Sequence, residues 1–283
     1  MDARRMLNGS SQENIFLKIE LLRLQCFDET PTIFLNDFHA LFPNLISLMV
    51  RNSSFEILFT SKGTTGNFNK KIYKQVKHLC LYELENIKYI WHEDFPLDHP
   101  LLQDLEVLEA WSCPNLINLV PSSTSFTKLK NLSVDNCKEL IYLITSSTAK
   151  SLVQLTTLKI RNCEQMLDVV KFDEEKVEED VMFQNLEYLE LHNVPSLRSF
   201  CYGKQTFIFP SLICFLVEKC PRMKIFTSGV TIAPYLAEIV VREGEENMRW
   251  KGDLNTTIEQ LFVEQVCPQC HCYQIYSFFY NGF

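Results

Sequence analysis

The sequence predicts an α/β solenoid: a curved horseshoe of leucine-rich repeats with a parallel sheet on its concave face and a mostly irregular or short-helical convex side. Three observations predict it. One apolar pattern, LxxLxLxxCxxL, stands complete in Leu129-Lys-Asn-Leu132-Ser-Val134-Asp-Asn-Cys137-Lys-Glu-Leu140. It returns at Leu105, Leu155, Leu186 and Leu212, and in weaker form at Ile19, Leu45, Val76 and Leu236, at intervals of 24 to 31 residues. That makes about nine copies of a unit close to the ~20–29 residues of a leucine-rich repeat. Finally, x-Leu-x-Leu-x has a period of two, which puts the leucines on one side of a short strand and the intervening residues on the other.

A single strand of this kind cannot bury its apolar face, so neighbouring copies must stack about 4.8 Å apart into one wall of a right-handed coil. Eight gaps give a wall roughly 40 Å long. After each strand the backbone must turn, and the residue holding the turn is Cys in four copies: Cys113, Cys137, Cys163 and Cys220. Thiols in repeat register read as small buried hydrophobes, and Val194 takes the same place in one copy. A metal or redox cluster of Cys113, Cys137 and Cys163 is the competing reading.

Taken in order, residues 1–16 carry no repeat and no polar cap, so the array from 17 to 254 reads as part of something longer. Between Asn52 and Lys74, Ser-Lys-Gly63-Thr-Thr-Gly66 lacks the Gly-Lys-Ser/Thr ending of a phosphate loop and reads as a surface turn. Pro43, Pro100, Pro210 and Pro234 precede strands, where Pro sets an extended approach, and Phe42, Phe126, Phe183 and Phe209 plug the core from the return side. Pro121-Ser-Ser-Thr-Ser and Thr145-Ser-Ser-Thr mark outer turns. Asp173-Glu-Glu-Lys-Val-Glu-Glu-Asp180 coincides with a long interval and reads as a solvated outer loop, with docking to a basic partner as the sharper alternative. From 255 to 283 the periodicity stops in a Cys- and aromatic-rich stretch, where Cys267, Cys270, His271 and Cys272 are too crowded for easy tetrahedral zinc coordination, so it reads as an adventitious, poorly ordered tail. No metal or other cofactor is expected.

The 283 residues, 46% of them apolar, make a folded chain, and a net charge of −8 argues against nucleic-acid or anionic-membrane surfaces and for protein partners. The start has no apolar signal core and no run approaches ~18 apolar residues, so a cytoplasmic location is expected. Four Asn-x-Ser/Thr triplets, at Asn8, Asn52, Asn131 and Asn255, mean nothing without export. The six histidines form no HExxH and no GxSxG occurs, so no enzyme is expected.

Cys113-Pro-Asn-Leu-Ile-Asn-Leu, Cys137-Lys-Glu-Leu-Ile-Tyr-Leu and Cys220-Pro-Arg-Met-Lys-Ile-Phe continue the repeat as CxxLxxL, each led in by Phe-x-x-Leu or similar. Over residues 17–254 this resembles the leucine-rich-repeat region of plant intracellular disease-resistance proteins, the class with an N-terminal coiled coil and a nucleotide-binding switch. The resemblance implies repeats that fold back on the switch, hold it inactive, and take part in sensing pathogen effectors or modified host proteins. The phosphate-binding GxxxxGK[ST] and the heptads of that class do not occur here, so its nucleotide chemistry is not carried over. F-box substrate adaptors also place Cys after the strand and are the alternative, but their repeats continue into regular helices.

On the open wall the intervening side chains should form two rows. One is Arg23, Met49, Cys80, Glu109, Ser133, Lys159, Glu190, Leu216 and Val240; beside it run Gln25, Arg51, Tyr82, Trp111, Asp135, Arg161, His192, Glu218 and Arg242. Partner-binding candidates are Arg51, Tyr82, Glu109, Trp111, Asp135, Lys159, Arg161, Tyr188, Glu190, His192, Glu218 and Arg242, with Trp111, Tyr82 and Tyr188 as a joint aromatic anchor. The other reading is that Asp135, Arg161, Glu190 and Lys159 only neutralise one another across strands. If wall and core are assigned correctly, Leu158→Ala should cost about 2–5 kcal/mol in chemical denaturation, while Trp111→Ala and Arg161→Ala should leave the melting temperature unmoved.

Overall fold

The nine x-Leu-x-Leu-x segments form nine strands, each beginning two residues after the first apolar residue of its copy. This emerges from a computed structural model that describes residues 18–26, 33–34, 42–60, 76–93, 95, 97, 100–121, 124–173, 179–236, 238–240 and 252–266. The first coils contain β1 (Leu21–Gln25), β2 (Ile33–Phe34), β3 (Ser47–Arg51), β4 (Ile57–Thr60), β5 (His78–Tyr82), β6 (Tyr89–Trp91), α1 (Pro100–Asp104) and β7 (Val107–Trp111). The central coils contain β8 (Asn131–Asp135), β9 (Tyr142–Thr145), α2 (Ser146–Ser151), β10 (Thr157–Arg161), β11 (Asp168–Lys171) and β12 (Val181–Met182). The last contain β13 (Tyr188–His192), β14 (Ser199–Cys201), β15 (Phe207–Ile208), β16 (Cys214–Glu218), β17 (Thr231–Ile232), β18 (Glu238–Val240) and α3 (Leu254–Val266).

The wall is one parallel sheet in the order β1-β3-β5-β7-β8-β10-β13-β16-β18. Leucine pairs with leucine or its equivalent from strand to strand, as in Leu48–Leu79–Leu108–Leu132–Leu158–Leu189–Phe215. Behind the wall these residues are fully buried in a continuous core. At β1 the same positions, Leu22 and Leu24, are only partly buried.

The turn after each strand has one construction. The residue before the Cys position is left-handed in eight coils: Cys26, Asn52, Glu83, Ser112, Asn136, Asn162, Asn193 and Lys219 have φ between 44° and 57°. Asn occupies four of these eight places, and its side chain tolerates this region better than most. The N–H of the left-handed residue donates to the last strand carbonyl of the next coil, as Asn136 does to Arg161 at 3.0 Å and Asn193 to Glu218 at 2.9 Å. That same carbonyl also accepts the thiol of its own coil's cysteine, Cys163 to Arg161 at 3.2 Å and Cys220 to Glu218 at 3.5 Å. One oxygen therefore takes a donor on each lone pair. All the described cysteines are free, and burial pushes the Cys163 and Cys220 thiols up to about 12, which keeps them protonated donors.

CxxLxxL then builds a second wall. Sheets β2-β4-β6 and β9-β11-β14 run down this side, with single bridges Tyr89–Asn118 and Cys201–Thr227 continuing them. A third short sheet, β12-β15-β17, lies on the return path. Phe42, Phe126, Phe183 and Phe209 are buried as expected, and each carbonyl accepts the N–H three residues on, closing the Phe-x-x-Leu turn. In the last coils they join an aromatic stack that the apolar pattern did not announce: Phe183 on Phe209 at 5.4 Å and Phe200 on Phe226 at 4.8 Å.

Two expectations about the outer turns are corrected. None of the four prolines sets an extended approach: Pro43, Pro210 and Pro234 take the second place of turns closed by the Leu45, Leu212 and Leu236 N–H groups, where Pro's fixed φ fits, and Pro100 opens helix α1, where its missing N–H is no loss. Thr145-Ser-Ser-Thr is no bare turn but the start of α2, with the Thr145 side chain accepting from the N–H of Thr148. Residues 61–75 and 174–178, holding the Gly/Thr turn and most of the acidic run, lie outside the described residues. The flanks of the run bind α2, Asp173 accepting from Ser146 and Ser147 and Glu179 pairing with Lys150 at 2.6 Å.

The expectation of a poorly ordered tail fails for its first part, because past the last strand α3 packs Leu254, Ile258 and Leu261 onto the core at helical spacing. Asn255 Oδ1 accepts from the N–H groups of Phe226 and Thr227 at 3.0 and 2.9 Å, and its Nδ2 donates to the Gly229 carbonyl at 3.2 Å. The side chain thus stands in for the strand that would come next on the side wall. Cys267, Cys270, His271 and Cys272 lie outside the described residues.

Lateral pairing continues in side chains just ahead of the wall strands. Glu106 sits between Lys77 at 2.6 Å and Lys130 at 2.8 Å, the equivalent positions one coil away on either side. Hydrogen bonds from Lys130 and then Lys77 lower its carboxyl from 4.5 to about 2. A depressed acid stabilises the fold above its unfolded value, and that contribution fades as pH falls from about 4.5 toward 2. Thermal melts across this window should show wild type losing about 1 kcal/mol more than Glu106→Gln, the half-exposed lysines keeping the effect small.

Candidate functional site

The strand register lays three rows of side chains along the wall. The first contains Ser47, His78, Val107, Asn131, Thr157, Tyr188 and Cys214; the second Met49, Cys80, Glu109, Ser133, Lys159, Glu190 and Leu216; the third Arg51, Tyr82, Trp111, Asp135, Arg161, His192 and Glu218. The second and third rows match the sequence-derived rows position for position. Arg242 lies outside the described residues.

In the first half of the wall an aromatic pair dominates. Trp111 is 43% exposed, and Tyr82 on the neighbouring strand packs against it edge-on at 5.4 Å. The Tyr82 hydroxyl donates to Glu109 at 3.0 Å, and burial followed by neighbouring negative charge pushes its pKa well up. Burial first, and the Glu109 carboxylate second, raise the Cys80 thiol to about 11, so this wall cysteine is a neutral, buried group. Beside the pair, Arg51 forks onto Glu83 at 3.1 and 2.8 Å, which raises the guanidinium and lowers the carboxyl through the shared hydrogen bonds.

In the second half the charges are sealed. Glu190 was expected on the open face, but only 2% of it is exposed. Arg161 covers it through a two-pronged contact at 2.5 and 2.9 Å, and the Tyr188 hydroxyl donates to it at 3.1 Å. Burial, then the Glu190 charge, pushes Tyr188 up to about 12. Lys159 lies over the Tyr188 ring at 5.3 Å, and His192 Nδ1 faces Glu218 at 3.2 Å. Tyr188 belongs to the first row and stands three strands from Trp111, so it is not part of one anchor with Tyr82 and Trp111. Three strand gaps separate the two by about 14 Å.

A feature the sequence reading passed over is the column of left-handed residues at the edge of the wall. Asn193 Nδ2 donates to Asn162 Oδ1, and Asn162 Nδ2 to Asp135, both at 2.7 Å. The signal was present as Asn directly before Cys137, Cys163 and Val194. Among the described residues no group of three His, Cys, Asp or Glu side chains is placed to hold a metal ion, and no helix is long and apolar enough to cross a membrane.

Stacked parallel coils with an xLxLx wall define the leucine-rich-repeat class. A family profile described as plant disease resistance protein RPS2-like, leucine-rich repeats, matches residues 3–125 and 122–243, and the chain belongs to that family. A relative in Arabidopsis thaliana that carries a disease resistance protein name is 22% identical over 200 residues, covering 62% of this chain and 22% of the relative. The chain thus spans about a fifth of the relative's length.

The geometry divides two substitutions that sequence alone treated alike. Arg161→Ala uncovers a carboxylate that keeps only the Tyr188 hydroxyl, and with Arg161 itself half-exposed should cost about 1–3 kcal/mol in denaturant titration. Trp111→Ala, on exposed surface, should stay within about 1 kcal/mol of wild type.

Proposed function

We propose that this chain is the partner-contacting repeat region of a plant immune receptor. It acts in the cytoplasm as a scaffold without catalysis of its own. Its concave wall either senses a pathogen effector or guarded host protein, or holds a nucleotide-binding switch domain inactive. The observation that carries this reading is that family-matched coils present three rows of side chains on the face away from the leucine core, among them an exposed Trp111 packed on a half-buried Tyr82. Aromatic and arginine side chains on a rigid sheet lose little freedom on binding, which suits an interface.

An F-box-like adaptor for a ubiquitin ligase would use the same wall. The disease-resistance family match and the short convex segments favour the receptor reading.

Co-precipitation tests it, using the tagged full chain with a co-expressed nucleotide-binding switch domain and, in parallel, extract from infected and healthy plants. Trp111→Ala and Tyr82→Ala should reduce the recovered partner severalfold without shifting the melting temperature, whereas Glu85→Ala and Glu139→Ala, off the wall, should not. Recovery that follows the off-wall pair instead would overturn the assignment of the face.

A further inference from the structure

We propose that Glu109, Trp111, Ser133 and Asp135 form a seat for a cationic side chain, an arginine or lysine presented by a protein partner; the proposal rests on the concave wall being the partner face. The four residues are a square tile on two adjacent strands, with Glu109 opposite Ser133 and Trp111 opposite Asp135. Two carboxylates therefore stand on one diagonal. On the other, the exposed indole of Trp111 stands diagonal to Ser133, the smallest side chain of the four.

What singles out this tile is the state of the charges around it. Arg51 is committed to Glu83 and Arg161 to Glu190, and Lys159, opposite Ser133 on β10, lies over the Tyr188 ring at 5.3 Å. Glu109 and Asp135 instead accept from neutral donors, Glu109 from the Tyr82 hydroxyl at 3.0 Å and the Cys80 thiol, Asp135 from the Asn162 amide at 2.7 Å. Among the described residues neither forms an ion pair. Arg161 feels the field of Asp135, but its fork is used by Glu190.

A guanidinium or ammonium entering over Ser133 would meet both carboxylates and could lie against the indole. A cation is held by a Trp face and by charge-assisted hydrogen bonds together. An apolar partner would have to leave the two carboxylates desolvated and unpaired, and an acidic one would be repelled. The chain's net charge of −8 adds a field of the same sign, so approach of a basic segment is favoured at long range.

Fluorescence anisotropy with fluorescein-labelled hexaarginine, titrated with the full chain at ~150 mM salt, tests the seat. Wild type should bind, and both Trp111→Ala and the isosteric double variant Glu109→Gln/Asp135→Asn should weaken binding by about tenfold or more. The charge-matched Glu85→Gln/Glu139→Gln should change it by less than about twofold, and labelled hexaglutamate should not bind. Equal losses in both double variants would mean diffuse attraction and overturn the seat, as would undiminished binding to Trp111→Ala and Glu109→Gln/Asp135→Asn. Indifference of hexaarginine to these changes, alongside a switch domain or extract partner that needs Trp111, overturns the cation seat alone; indifference of both overturns the wall as well.

Discussion

The structure depends on a carbonyl oxygen at the end of each wall strand. A coil cannot satisfy its own backbone, because strand donors and acceptors point along the solenoid axis toward the neighbouring coils. At the strand's end the chain must also turn sharply without leaving these groups unpaired. The left-handed residue solves both needs, bending the chain while aiming its N–H at the next coil. The cysteine two residues after the oxygen fills its second lone pair and buries a small apolar side chain in the same movement. Where Val194 replaces cysteine the turn survives on the backbone donor alone, Asn162 to His192 at 3.0 Å. Thiols here are packing groups with one weak donor, and their register follows from the carbonyl they serve.

Much of this was legible because it repeats. The spacing of Leu105, Leu108 and Ala110, and of its eight counterparts, placed every wall strand and its register. Binary periodicity plus stacking leaves no other way to bury the leucines. What escaped was not periodic in the same way. Pro100 has different meanings in a strand approach and in a helix start, and only the neighbouring coil decides between them. Phe200 and Phe226 occupy leucine positions of CxxLxxL, so nothing local distinguishes an aliphatic core from an aromatic stack. The helix at 254–266 follows the last copy with a new period, Leu254, Ile258 and Leu261, too short to stand out beside nine repeats.

The wall itself shows why outward-facing is not the same as available. Glu190 occupies an open row, yet Arg161 and Tyr188 close over it, since a long flexible cation and a phenol are within reach on neighbouring positions. Glu109 has a phenol but no such cation, and Asp135 is hydrogen-bonded by an amide while the Arg161 opposite it is forked onto Glu190. Sequence distributes the charges; side-chain length and the contents of adjacent strands decide which of them remain unspent. One end of the wall is thus electrostatically closed and the other is not, though their compositions look alike.

Asn255 carries a different implication. Its single carboxamide engages two N–H groups and one carbonyl at the rim of the side wall, the groups by which a foreign strand would otherwise latch on. Exposed β-rims invite sticking between molecules, and proteins survive by blunting them. The same side chain sits in an Asn-Thr-Thr triplet, and a sugar on its nitrogen would leave a single N–H there with which to reach Gly229. Any bulk added to that nitrogen would compete for space with the border that the side chain seals.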